Sequence, residues 1–189
     1  MAAMSIATRC SSLRRLGSNM YANGLRRPPQ SIKPLPSRPI SSSGLTVTRV
    51  DNDDRFKAKP VDEELKFGIT LSDHMLSVEW NKETAWGAPI IAPQQNLSLS
   101  PAASSLHYGL SCFEGMKAYK SADGSLRLFR PDLNMKRLQS SMDRLQMQGE
   151  SFDPDELLEC IKELVRIDER WVPERDGYSL YIRPVSRHS

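Results

Sequence analysis

The chain has 189 residues, 39% hydrophobic and 26% charged, which allows one domain of ordinary size with a real core but not two. No window approaches the roughly 18 consecutive apolar residues of a transmembrane helix, and Cys10, Cys112 and Cys160, an odd and widely spaced set, exclude a disulfide scaffold or a zinc cluster. The net charge of +3 divides unevenly: residues 1–50 hold eight basic residues and no acid, whereas 51–189 hold 18 basic and 23 acidic residues, net −5, so nucleic acid is not an expected partner.

In chain order, segment 1–50 is rich in Arg and Ser and opens with small, apolar and basic residues alternating from Met1 to Leu16. That is the composition of an organelle transit peptide, with a basic disordered tail as the alternative. The Pro/Ser-rich stretch Pro28 to Ser43 reads as a linker before a processing site somewhere between about residues 40 and 55, and the abundance of Arg points to the mitochondrion, hence the matrix. The expected organisation is therefore a disordered transit peptide and linker over 1–50, further linker over 51–60, a folded unit over 61–185 and a divergent tail over 186–189.

Leu76, Val78 and Trp80 alternate with Ser77 and Glu79, the period of a half-buried strand, and a turn around Asn81 to Gly87 leads to a second run, Pro89 to Ala92. Met116 to Lys120 and Ser125 to Phe129 flank Ser121-Ala122-Asp123-Gly124, which predicts a β-hairpin. Pro131 opens a helix with Met135, Leu138, Met142 and Leu145 on one face. Asp153 caps a second, with Pro154 and Glu156 in capping-box positions and a stripe of Leu157, Leu158, Ile161, Leu164 and Val165. After a turn at Asp176-Gly177 comes a last strand, Tyr178 to Val185. A β-meander with two helices on one side is α+β.

Period two puts Tyr178, Leu180 and Ile182 on one face of that last strand, and Tyr181 and Arg183 together on the other. Arg183 reads either as a solvated charge or as a fork for a planar carboxylate. Pro184 beside it suggests a strand edge opening onto a cleft. Arg130 precedes the helix begun at Pro131, where unpaired N–H groups attract anions, although an arginine there can equally cover the core or pair with Asp132. His107 and Cys112 lie in a segment, Ser104 to Met116, dense in aromatic and small residues, and no catalytic or metal spacing completes a set around them.

Taken together, His107-Tyr108-Gly109, Phe113-Glu114-Gly115-Met116-Lys117-Ala118, Leu128-Phe129-Arg130-Pro131 with Asn134-Met135, and Tyr181-Ile182-Arg183-Pro184 resemble the branched-chain amino acid aminotransferases. Phe67-Gly68, Asp73-His74-Met75, Val78-Glu79-Trp80-Asn81 and Leu157 to Ile161 look like the same family's eukaryotic, mitochondrial branch, so the resemblance covers about residues 60 to 185. It implies the small N-terminal domain of a fold-type IV enzyme that uses pyridoxal 5'-phosphate, with an antiparallel sheet, helices on one side and the large C-terminal domain absent. By position, Arg130 matches the arginine on the cofactor phosphate. Phe67, Tyr108 and Phe113 match aromatics lining the pocket for a branched side chain, and Tyr181 and Arg183 match the pair that binds substrate and its α-carboxylate. The implied substrates are Leu, Ile or Val with 2-oxoglutarate, and the implied assembly is a homodimer, with no membrane partner.

The family's chemistry also needs a Schiff-base lysine leading into Gly-Gly-Asn and an acid on the pyridinium nitrogen. None of Lys33, Lys57, Lys59, Lys66, Lys82, Lys117, Lys120, Lys136 and Lys162 has that setting, so no catalytic residue is assigned. The sequence after Val185 leaves the family pattern, and a truncated, inactive product is expected. The alternatives are a non-catalytic domain binding a partner subunit, or another fold-type IV enzyme such as a D-amino acid aminotransferase.

Overall fold

A computed structural model describes residues 2–11 (backbone), 39–50, 58–147 and 152–188. The remaining leader and linker expectations, at 12–38 and 51–57, fall outside the described residues. The described strands are β1 Ala2–Ser11, β2 Thr46–Val47, β3 Leu71–Asn81, β4 Ala85–Trp86, β5 Ile90–Pro93, β6 Ser111–Phe113, β7 Met116–Lys120, β8 Leu126–Leu128 and β9 Leu180–His188. Three α-helices join them: α1 Ser104–His107, α2 Pro131–Arg144 and α3 Pro154–Ile167. The expected α+β class is the class observed.

The sheet runs β2-β5-β3-β1-β9-β7-β8, with β4 on β3 and β6 on β9. Antiparallel pairs, as expected, join β3 to β4 and β5, β9 to β6 and β7, and β7 to β8, and to these the sheet adds parallel ones: β1 with both β3 and β9, and β2 with β5. The reason is topological. Strands β3 and β9 point the same way and stand one strand apart, and the segment expected to be a disordered leader fills that slot. Ile6 lies level with Leu76 on one side and Pro184 on the other.

The β7–β8 hairpin forms where its turn residues place it, with Ala118 opposite Leu128. Gly124 takes φ +79°, a left-handed conformation that costs a glycine nothing, and Asp123 Oδ1 accepts the Ser125 N–H at 3.0 Å. Helix α3 begins as read, with Asp153 accepting from the N–H groups of Asp155 and Glu156. The reciprocal half of the capping box does not form, because the Glu156 carboxylate accepts the Ser42 N–H instead. Leu145, placed with the buried face of α2, is the exposed C-cap, since the helix ends at Arg144.

The last strand differs at both ends. Tyr178 precedes it, and the chain continues past Val185 as strand to His188, because Ser186 and Arg187 pair with Cys112 and Ser111 of β6. Pro184 is thus not on a sheet edge. It sits at the break between β6 and β7, where the Glu114 N–H donates to its carbonyl at 2.9 Å.

One core joins the sheet's inner face to both helices. Leu76, Val78, Met116, Ala118, Leu180 and Ile182 pack with Met135, Leu138 and Met142 of α2 and with Leu157, Ile161 and Leu164 of α3. Met135 and Met142 are core residues, as their 3.6-residue spacing predicts. The opposite face of β7 and β9, where Lys117, Tyr119 and Tyr181 are not buried, carries the candidate site.

Candidate functional site

Strand register fixes which side chains share that open face. Lys117 pairs with Tyr181 and Phe113 with Val185, so Phe113, Lys117, Tyr181 and Arg183 point away from the core that Met116 and Ile182 enter. The Arg183 guanidinium carbon stands 4.1 Å from the Phe113 ring centre and 5.0 Å from that of Tyr181. Phe67, carried on the turn before β3, meets Tyr181 edge-on at 5.0 Å and 89°. Two aromatic rings, Phe113 and Tyr181, thus hold one cation, a contact favoured by the negative ring faces, and Phe67 backs the second of them. The Arg183 Nε is buried without a hydrogen-bond partner among the described residues.

Arg130 is the N-cap of α2, with φ +46°, and no side chain caps the helix start. Among the described residues its guanidinium has no ion-pair or hydrogen-bond partner. It opens on a hollow of about 350 Å³ that it shares with Lys117, Phe129, Asn134, Arg137 and Tyr181. Two cations, Arg130 and Lys117, with the positive end of a 14-residue helix beside Arg130, make a setting that suits a phosphate group.

The floor of the hollow is built by residues that the pattern did not single out as site residues. Glu114, 8% exposed, takes Arg137 Nη2 on one oxygen at 2.7 Å and Nε on the other at 2.8 Å. The Gly115 N–H donates to the same carboxylate at 2.6 Å, and Asn134 Nδ2 donates to the Gly115 carbonyl at 2.9 Å. Burial acts to raise the Glu114 pKa, but Arg137, the Gly115 N–H and Asn134 outweigh it and hold the group below its usual value of 4.5. The ion pair raises the Arg137 pKa in return.

Not every expected site residue gathers here. Tyr108 is 87% exposed at the end of α1, its nearest ring neighbour being His107 at 6.3 Å, and nothing places it on the hollow. His107 is tied to the Pro101 carbonyl at 2.6 Å. Burial pushes the Cys160 thiol up to about 11, which leaves it unsuited to nucleophilic work. Among the described residues no group of His, Cys, Asp or Glu could hold a metal ion.

A second polar cluster lies on β3. His74 Nε2 accepts the Val50 N–H at 2.9 Å, so its proton sits on Nδ1, 2.6 Å from Asp168 Oδ1. Asp73 Oδ2 accepts from Arg170 Nε and Trp171 Nε1, each at 2.9 Å. Asp168, Arg170 and Trp171 stand 94 to 98 residues from their β3 partners, so no local pattern announces them.

No family model matches the chain. It is 49% identical over 154 residues to the mitochondrial branched-chain-amino-acid aminotransferase of Rattus norvegicus, covering 80% of this chain and 38% of that protein. To the mitochondrial enzyme of Bos taurus it is 58% identical over 123 residues, covering 65% of this chain and 31% of that protein. To the cytosolic enzyme of Saccharomyces cerevisiae it is 47% identical over 147 residues, covering 78% of this chain and 38% of that protein. The chain therefore spans between 31% and 38% of the length of these relatives. Among solved structures it is similar to a branched-chain amino acid aminotransferase crystallised with pyridoxamine 5'-phosphate, at a TM-score of 0.40 and 36% identity, over 50% of this chain and 28% of that one.

Proposed function

The chain is a relative of the branched-chain amino acid aminotransferases, and from that premise we propose that it forms the substrate-reading face of a transaminase for Leu, Ile or Val with 2-oxoglutarate. The observation that carries this reading is the shared hollow of Arg130 and Tyr181, with Arg183 stacked beside it on the Phe113 and Tyr181 rings and Phe67 against Tyr181.

The residues present fit pyridoxal 5'-phosphate at its phosphate end. Arg130, Lys117 and the uncapped start of α2 would hold that group, since all three favour an anion and Arg130 has no partner of its own among the described residues. When bound, this cofactor supplies a ring that withdraws electrons from the substrate's Cα. The chain's own side chains bind and orient. The Arg183 guanidinium offers donors to the α-carboxylate, and the Tyr181 phenol lies beside it. Phe67 and Phe113 offer an apolar wall, which rewards a branched hydrocarbon side chain and excludes water from it. Tyr108 would join that wall only from another subunit, since in its own chain it projects into solvent. A homodimer accounts for that exposure.

None of the nine lysines precedes Gly-Gly-Asn, so this polypeptide by itself is expected not to transaminate. Some of the relatives are mitochondrial and others cytosolic. The acid-free, Arg-rich segment 1–50 favours the mitochondrial matrix for this chain. A non-catalytic domain seated on a partner subunit is the second reading, favoured by Phe129 and Ile69 at 72% and 75% exposure.

The test is to titrate pyridoxal 5'-phosphate and L-leucine against the purified chain and assay the 2-oxo acid. The expected result is phosphate-dependent binding without turnover, lost in Arg130→Ala. Turnover would overturn the inactive reading, and binding indifferent to Arg130→Ala would overturn the phosphate assignment. Preference for D-alanine over L-leucine would favour a D-amino acid aminotransferase instead.

A further inference from the structure

We propose that Glu114 and Arg137 are positioning residues for Tyr181: their ion pair seats the Gly115 backbone against the phenol and thereby sets the ring that a substrate meets. The inference rests on the substrate-face reading above for what Tyr181 contacts, but not for the clamp itself.

Gly115 has no room for a side chain. A Cβ there would run into the Tyr181 hydroxyl, with the ring carbon Cζ at 2.8 Å and Cε2 at 3.1 Å. The phenol therefore lies directly on the peptide, and any shift of that peptide moves or releases the ring. Four contacts hold the peptide where it is. The Glu114 N–H is fixed to Pro184, one strand position from Arg183. The Gly115 N–H is fixed to the Glu114 carboxylate, and the Gly115 carbonyl to Asn134. The carboxylate itself is anchored to α2 through the two-pronged Arg137 contact.

This arrangement leaves Glu114 nothing to exchange with a substrate. Both oxygens are taken, the residue is buried, and its charge is matched by Arg137. The chain has thus placed a buried charge under a strand break for the sake of geometry. An ion pair whose arginine is 65% exposed contributes little as stability alone, because solvent screens the attraction. What it adds here is that the planar fork allows one relative placement of α2 and the β6–β7 bend. Asn134 and Arg130 stand about one and two helical turns before Arg137. The clamp therefore also sets the distance from the anion-binding helix start to Tyr181.

The experiment labels the five tyrosines of the full chain with 13C at the ring and assigns Tyr181 by Tyr181→Phe. Glu114→Gln keeps the side-chain shape and removes the charge; Arg137→Met keeps the stem and removes the fork. Each should shift the Tyr181 ring signals and leave the other tyrosines in place. The double variant should add nothing, and Arg137→Lys should restore only part. Titration with 4-methyl-2-oxopentanoate, the 2-oxo acid of leucine, should show binding weakened about tenfold in both variants, since a ring displaced by a fraction of an ångström misplaces the contact.

Unmoved Tyr181 signals in folded Glu114→Gln and Arg137→Met would overturn the proposal, as would tyrosine signals that all move alike. The Arg137 side chain is 65% exposed, so Arg137→Met decides the matter if Glu114→Gln fails to fold. An oxo acid that leaves Tyr181 of the unaltered chain untouched would sink the substrate-face reading, while the ring signals of the variants still decide the clamp.

Discussion

The charged cluster on β3 and the charged cluster between β9 and α2 are built to opposite specifications. In the first, Asp73 and His74 of β3 and Asp168 at the end of α3 are 4%, 5% and 1% exposed, and the chain's own groups take up His74 on every polar side, although Asp73 Oδ1 is left without a partner among the described residues. On the other side Glu114 is sealed, but Arg137 stands half in solvent and Arg130 faces a hollow without a partner among the described residues. The first set holds α3 to the sheet. The second is complete only on its inner side. Polar groups satisfied by the fold belong to the architecture, whereas donors left aimed at open space mark where something else is meant to bind.

The largest effect should come from opening the sealed cluster. Asp168→Ala strips the acceptor from the His74 N–H and Nδ1–H and is expected to cost about 1–3 kcal/mol in urea denaturation for each of these two buried donors left unsatisfied. Asp153→Ala, at the other end of the same helix, should cost about 1 kcal/mol as a lost N-cap. If the two variants proved equal, Asp168 would be acting only as part of α3 and the contrast would weaken.

A smaller effect is expected from acid. Because the folded Glu114 pKa lies below its ordinary 4.5, the clamp's contribution is whole above that value and is lost as pH falls through the lower folded one. Melting curves of Glu114→Gln should therefore converge on those of the unaltered chain only at the acid end of a pH series. Smallest of all, Arg130→Ala should change stability by no more than about 0.5 kcal/mol while weakening pyridoxal 5'-phosphate binding about tenfold or more. A large loss of stability there would place Arg130 among the architectural charges.

Much of this was legible in residue order, for reasons that are local. The hairpin at Asp123-Gly124, the proline starts of both long helices and the common face of Tyr181 and Arg183 follow from turn chemistry and from periods of 3.6 and two. What escaped was long-range. Ser72, Asp73 and His74 look like the wet start of a strand, yet β3 is buried there because its partners arrive on residues 168–171. Glu114 and Arg137 are 23 residues apart across a hairpin and the first turns of a helix, with no spacing rule to join them. Segment 2–11 carries the composition of a leader, and composition says nothing about a slot that only β3 and β9 create.

That slot would make itself felt if segment 1–50 were cleaved as a leader. Every backbone ladder between the β3 side and the β9 side passes through residues 2–11, so a protease cut at about residues 40–55 would unzip one continuous sheet into two. Two bare edges would then face each other, each a template for the next extended segment to arrive. For this chain, shedding the leader would be a refolding event rather than a trimming, and whatever strand sealed the seam afterwards would decide whether the product assembled or aggregated.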